Sequence, residues 1–227
     1  MEESRVEMME IPSASASVTR LCLVRHGETE WNTQRRIQGQ IDIGLNDNGL
    51  RQADAAGRWL KKAGITALYS SDLSRAWTTA QRIGAAIGLA PQAAPELRER
   101  RYGIFEGLTF GELKEKHPMS FAAYESRDPG YDFETGESLY AMFERVTGKL
   151  KALAVAHPGE NIAVVLHGGV LDIANRFVRG KPLDTPRDFL IPNAGLNWLA
   201  CADGRWRIES WGETTHLESG SLDELPS

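Results

Sequence analysis

The spacing of apolar positions changes from segment to segment along the chain, and those changes lay out its elements. Leu21 to Val24 is an unbroken apolar run closed by Arg25, His26 and Gly27, the pattern of a short strand buried on both faces. A polar, glycine-punctuated stretch follows as far as Leu45. Asn46 then offers a helix N-cap, and Leu50, Ala53, Gly57 and Leu60 recur at helical spacing until Gly64 stops them. Ile65 to Ser70 reads as a second strand. Ser71 or Asp72 is the expected cap of the next helix, whose inner face is Ala76, Ala80, Ile83 and Ile87, closed by Gly88. Glu137 to Ala156 carries a wide helical stripe of Leu139, Met142, Phe143, Val146, Leu150, Leu153 and Ala154. Asn161 to Leu166 is a continuous apolar strand, and after His167, Gly168 and Gly169 a helix runs through Val170, Ile173, Ala174, Phe177 and Val178. Leu196 to Ala200 and Trp206 to Ser210 form a terminal strand pair around Ala202, Asp203 and Gly204.

Strands alternate with helices, which predicts a doubly wound three-layer α/β/α sandwich with a mostly parallel central sheet. We expect one domain over residues 19–217, a disordered lead-in over 1–18 and a flexible tail over 218–227. Residues 102–135 are the least regular part. They carry Phe105, Phe110, Phe121, Tyr124, Tyr131 and Phe133 and are expected to form an excursion over the carboxyl edge of the sheet.

Composition narrows the class of partner. A chain of 227 residues suits one sizeable core, and a net charge of −5 gives no electrostatic reason to expect nucleic acid or an anionic membrane. No stretch approaches the ~18 apolar residues of a membrane span. The acidic N-terminus lacks an apolar signal region, so the cytoplasm is the expected location. Cys22 and Cys201 fall in strand-like segments and read as small buried hydrophobes. The oligomeric state is left open, with a homodimer admitted.

The candidate chemistry lies at strand ends. His26 and His167 each leave an apolar strand before glycine, and the strand ending at Ser70 and Ser71 delivers Arg75 into a helix start. Parallel strands share a carboxyl edge, where open sheets bind ligands, so these groups converge. Arg25 adds a planar fork of donors, and the glycines after His167 let helix N–H groups meet an anion. Glu99, among Arg98, Arg100, Arg101 and Tyr102, supplies a carboxylate. An imidazole beside guanidinium groups suits phosphoryl transfer to nitrogen. Histidine and glutamate also ligate metals, but two arginines in one pocket argue against a dication. Glu28 is a second candidate acid. His117, His157 and His216 read as surface residues, Trp31 and Trp77 as packing residues, and the arginines around Glu99 as a mostly solvated cluster from which one or more can reach an acidic substrate.

Seven ordered motifs make the chain resemble the histidine phosphatase, or phosphoglycerate mutase-like, superfamily. They are RHGETEWN from Arg25, IQG from Ile37, LNDNGLRQA from Leu45, SSDLSRAWTTA from Ser70, LRERRYGIFEG from Leu97, GES from Gly136 and HGG from His167. The resemblance implies that His26, as a neutral imidazole, attacks phosphorus and becomes a phosphohistidine. It implies that Arg25, Arg75 and a protonated His167 hold the phosphoryl oxygens, with Asn32, Gln38, Gly39 and Gly168 completing the cradle and Tyr102 among the substrate-binding residues. Glu99, which the resemblance favours over Glu28, protonates the leaving oxygen and then activates water. No metal or organic cofactor is implied.

The expected function is that of a phosphomonoesterase acting on a small phosphorylated metabolite. A phosphoglycerate mutase is the runner-up, and a catalytically weak binding protein on the same fold is the third reading. The stretch between Glu99 and His167 is short for a cofactor-dependent mutase, and Phe110 falls where such mutases place a lysine for the substrate carboxylate.

Overall fold

The computed structural model describes residues 17–217 and 220–223, so residues 1–16 of the expected lead-in over 1–18 and most of the expected tail over 218–227 lie outside the described residues. Three strands set the plan. β1 (Thr19–Arg25), β2 (Ile65–Ser70) and β4 (Asn161–Leu166) run parallel, and the short β3 (Gln92–Ala93) adds to the edge at β2. β5 (Leu196–Ala202) pairs antiparallel with β1, and β6 (Arg205–Glu213) pairs antiparallel with β5, giving the order β3-β2-β4-β1-β5-β6. Arg25 is level with Leu166, and Ser70 with Val165, so the three parallel strands deliver their last residues to one line.

The continuous apolar runs are accounted for by burial on both faces. Leu21, Leu23, Ile162 and Val164 pack against α6 (Leu139–Ala156) and α7 (Gly168–Arg179). Cys22, Val24, Ala163 and Val165 pack the other way, on α2 (Asp47–Leu60) and α3 (Ser74–Ile87). Successive strand side chains alternate between faces, so a strand with helices on both sides keeps no polar position. Each fully buried Leu, Ile or Val contributes about 1.5–3 kcal/mol of hydrophobic stabilisation, which makes this three-layer contact the main source of the fold's stability.

Asn46 caps α2 as expected, its side chain accepting from the Gly49 amide at 2.8 Å. The cap of α3 is a correction. Leu73 occupies that position without a side-chain bond; Ser71 Oγ is hydrogen-bonded to His167 Nε2 at 2.8 Å and both Asp72 oxygens accept from Arg98. Asp42, from a distant loop, takes the amide of Ser74 instead at 2.7 Å. α6 starts behind Ser138, two residues later than expected, and Glu137 instead pairs with Arg145.

Residues 102–135 are more regular than their pattern suggested. α4 (Phe110–Lys116) starts in a capping box of Thr109 and Glu112, and α5 (Pro118–Glu125) starts on Pro118. A third short helix, α1 (Glu30–Thr33), follows the similar box of Thr29 and Asn32. Phe105, Leu113, Phe133 and Ile37 form a small separate core, ringed by Phe110, Phe121, Tyr124 and Tyr131. The arginine cluster is only partly solvated: Arg100 is buried 4.5 Å over the Phe133 ring and donates to the carbonyls of Tyr131 and Glu137. His157 and His216 are half-buried rather than solvated. His157 bonds the Tyr69 hydroxyl and Glu160, while His216 donates to the Ala194 carbonyl. Among the described residues no helix is long and apolar enough to cross a membrane.

Two glycines test the packing. A Cβ on Gly49 would overlap the Glu28 backbone, whereas one on Gly148, exposed within α6, would meet nothing. Alanine gains about 1 kcal/mol of helix propensity at either site, and overpacking costs about 1–3 kcal/mol at the first alone. Denaturant unfolding should therefore find Gly148→Ala stabilised and Gly49→Ala destabilised.

Candidate active site

His26 follows β1, and the backbone on either side fixes it: its amide donates to the Leu166 carbonyl at 2.9 Å, and its carbonyl accepts from Asn193 Nδ2 at 3.1 Å. The imidazole Nδ1 lies 2.7 Å from the Gly27 carbonyl oxygen. A carbonyl can only accept, so Nδ1 carries the proton and Nε2 holds a lone pair. Burial, followed by the charges of Arg75 and Arg25, pushes the His26 pKa well below its ordinary value of 6.5. The ring is therefore neutral near neutral pH, the state in which nitrogen is a nucleophile.

The two arginines are as buried as the core, each about 1 % exposed. Arg25 donates to the Ile191 carbonyl at 2.6 Å, and Arg75 to those of Gly39 and Ile41 at 2.6 and 3.0 Å. These bonds offset part of the cost of burying a guanidinium and fix the direction of its remaining N–H groups. His167 is fully buried, its ring centroid 5.2 Å from that of His26, with Nε2 on Ser71 and no hydrogen-bond partner at Nδ1. Here the structure departs from expectation. Burial and the same arginines push the His167 pKa well below 6.5 too, so the site as it stands disfavours an imidazolium. An opposite charge placed in the pocket favours the imidazolium form.

Arg25, His26, Arg75 and Glu99 line a cleft of about 330 Å³, within the usual range for small-molecule sites. Glu99 accepts from the Arg100 amide at 2.6 Å and, through its other oxygen, from the Gly169 amide at 2.9 Å. Gly169 is the second residue of α7, and a Cβ there would collide with the Glu99 carboxylate, so a side chain at the second glycine after His167 would displace this contact. Asn32, Gln38, Gly39, Tyr102 and Gly168 also line the cleft. The Asn32 side-chain oxygen accepts from Thr29, which leaves its amide nitrogen to donate, and Gln38 Oε1 is buried without a partner. Glu28 does not line the cleft; its carboxylate holds Asn46 and Asn48.

Several cleft residues were not anticipated. Arg187 and Asp172 line it, as do Leu222 and Asp223 from the expected tail, whose described residues lie against the body. Arg187 is a cation for a substrate carboxylate that the sequence reading did not name. Phe110 does face the cleft, but Arg187 reaches it from the loop between α7 and β5. Trp31, read as packing, is also part of the cleft wall. The signal for Arg187 is topological: β5 is antiparallel to β1, so the loop entering it lies at the carboxyl edge of the parallel strands.

The sequence profile of the histidine phosphatase superfamily, branch 1, matches residues 21–214, and the chain belongs to that family. It is 39 % identical to phosphoglycerate mutase-like protein 4 of Arabidopsis thaliana, over 96 % of this chain and 93 % of that protein. It is 38 % identical to a metal-independent phosphoserine phosphatase of the same plant, over 96 % and 91 %. Among solved structures, a phosphoserine phosphatase variant of Entamoeba histolytica in complex with phosphoserine superposes with a TM-score of 0.79 at 30 % identity, covering 88 % of this chain and 99 % of that one.

The lowered histidine pKa values carry a signed prediction. Below pH 6.5 the unfolded chain takes up protons that buried His26 and His167 refuse, so stability falls as pH drops from 6.5 toward their folded pKa values. Each imidazole contributes a slope of about 1.4 kcal/mol per pH unit. Urea unfolding between about pH 6.5 and 5 should show wild type losing stability more steeply than His26→Gln by roughly one such slope. Parallel curves would contradict the assignment.

Proposed function

We propose that this protein is a metal-independent phosphatase that hydrolyses small phosphorylated metabolites through a phosphohistidine at His26. The observation that carries the reading is an imidazole with Nδ1 tied and Nε2 available, set beside two buried guanidinium groups in one cleft. The phosphoserine phosphatases among its relatives support hydrolysis over transfer, and the mutase-like relative keeps the mutase as the alternative.

In the first step His26 Nε2 forms a bond to phosphorus as the ester P–O bond breaks. Arg25 and Arg75 hold the phosphoryl oxygens, and His167 takes up a proton from water as the dianion binds, which supplies the charge its surroundings otherwise withhold, and returns it as phosphate leaves. Asn32 and the backbone at Gly168 donate to the same oxygens, and Gln38, Gly39 and Tyr102 bound the substrate. Glu99 gives its proton to the leaving oxygen. In the second step Glu99 takes a proton from water, the hydroxide adds to phosphorus, and the N–P bond breaks to return neutral His26 and inorganic phosphate. The domain that does this spans residues 19–217 and acts in the cytoplasm.

His26→Ala should lower kcat by more than about a thousandfold with its melting temperature retained, and Glu99→Gln by about 10²–10⁴-fold. Mass spectrometry of quenched wild type should find acid-labile phosphate on His26; label on His167 instead would overturn the assignment. EDTA should leave phosphate release unchanged, and rescue of an EDTA-inhibited enzyme by Mg²⁺ or Zn²⁺ would refute metal independence. Phosphate release run beside an enolase-coupled assay decides between hydrolysis and mutase turnover.

A further inference from the structure

Beyond the phosphate-facing groups, the cleft wall carries a pair of opposite charges that the reaction above does not use. Asp172, one turn into α7, is 6 % exposed; its Oδ2 accepts from Arg176 Nε at 2.9 Å, and its Oδ1 is buried with no hydrogen-bond partner. It lines both the cleft and the smaller cavity beside it at Tyr124 and Leu183. Arg187 has a side chain only 8 % exposed and faces the same cleft. It pairs with the Asp223 carboxylate at 3.5 Å, while the other Asp223 oxygen accepts from the Ile191 amide at 2.5 Å. A carboxylate from the end of the chain thus lies against the cationic wall of the cleft.

We propose that Arg187 and Asp172 form the subsite for the non-phosphoryl end of the substrate and select phosphomonoesters of small 2-amino or 2-hydroxy carboxylic acids. The proposal rests on the phosphatase reading of this cleft. Arg187 takes the substrate carboxylate at the place Asp223 holds, exchanging a long 3.5 Å pair for a direct two-pronged contact. Asp172 Oδ1 accepts from the ammonium or hydroxyl on the adjacent carbon. A buried carboxylate oxygen with no donor is costly, and such a donor removes that cost. Burial raises the Asp172 pKa, and a bound ammonium acts in the opposite direction by favouring its charged form. A monoester lacking a carboxylate gains nothing from Arg187.

The test measures kcat/KM for O-phosphoserine, 3-phosphoglycerate and p-nitrophenyl phosphate on wild type, Arg187→Gln and Asp172→Asn. Arg187→Gln should lower the preference for phosphoserine over p-nitrophenyl phosphate by about 10- to 100-fold, mainly through KM. Asp172→Asn keeps an acceptor but loses the charge, so it should shift preference from phosphoserine toward 3-phosphoglycerate by about tenfold. Unchanged preferences in both variants would overturn the subsite. If Arg187→Gln does not fold, Asp223→Ala vacates the same place and should lower the phosphoserine KM severalfold; an equal or higher KM counts against the exchange. Should wild type release phosphate from no monoester, the phosphatase reading falls. The subsite is then read by calorimetric titration of phosphoserine into wild type and Arg187→Gln, or into Asp223→Ala: equal affinities, or no binding, overturn it.

Discussion

Two guanidinium groups buried beside two imidazoles set the terms for the rest of this site. Burial disfavours positive charge on both imidazoles and the neighbouring cations add to that effect, and together they lower the pKa values of His26 and His167. In the proposed reaction, the same pocket that leaves His26 neutral attracts a phosphoryl dianion, which then permits His167 to charge. On that proposal, one electrostatic arrangement prepares the nucleophile and makes the second histidine responsive to the ligand. Its cost is borne by the sheet: level strand ends bring Arg25, His26 and His167 together, and backbone carbonyls bind both guanidinium groups.

Helix α7 links the two ends of the cleft. Its first turn presents Gly168 to the cleft and gives the Gly169 amide to Glu99, and the next turn carries Asp172. A rigid helix with an apolar face sealed against β1 and β4 spaces these groups by its own geometry, so the reacting centre and the proposed selective end keep a fixed separation.

Much of this was legible in the sequence, for identifiable reasons. NIAVVL matched its strand because burial on both faces leaves an unbroken apolar run, and the level ends of the parallel strands bring His26, His167 and Arg75 to one edge, as the alternation of strands and helices predicts. The misses also have physical causes. Ser71 and Asp72 did not cap α3 because His167 and Arg98 compete for the same oxygens, a contact that local pattern does not contain. α4 and α5 are short and packed by aromatics from both ends of the excursion, though the Thr109 to Glu112 spacing already signalled a helix start. Arg187, Asp172 and Asp223 meet only through tertiary structure, since an antiparallel strand and the chain end return to the carboxyl edge.

The central claim is that burial, reinforced by the neighbouring arginines, holds both histidines neutral until an anion arrives. Imidazole ¹⁵N shifts, assigned through His26→Gln and His167→Gln, read it directly in the free protein near pH 6 and again with saturating vanadate. The account predicts a neutral His26 with its proton on Nδ1 and a neutral His167 in the free protein, with His167 becoming an imidazolium only when vanadate is bound. A His167 already charged in the free protein, or a His26 charged at that pH, would contradict it.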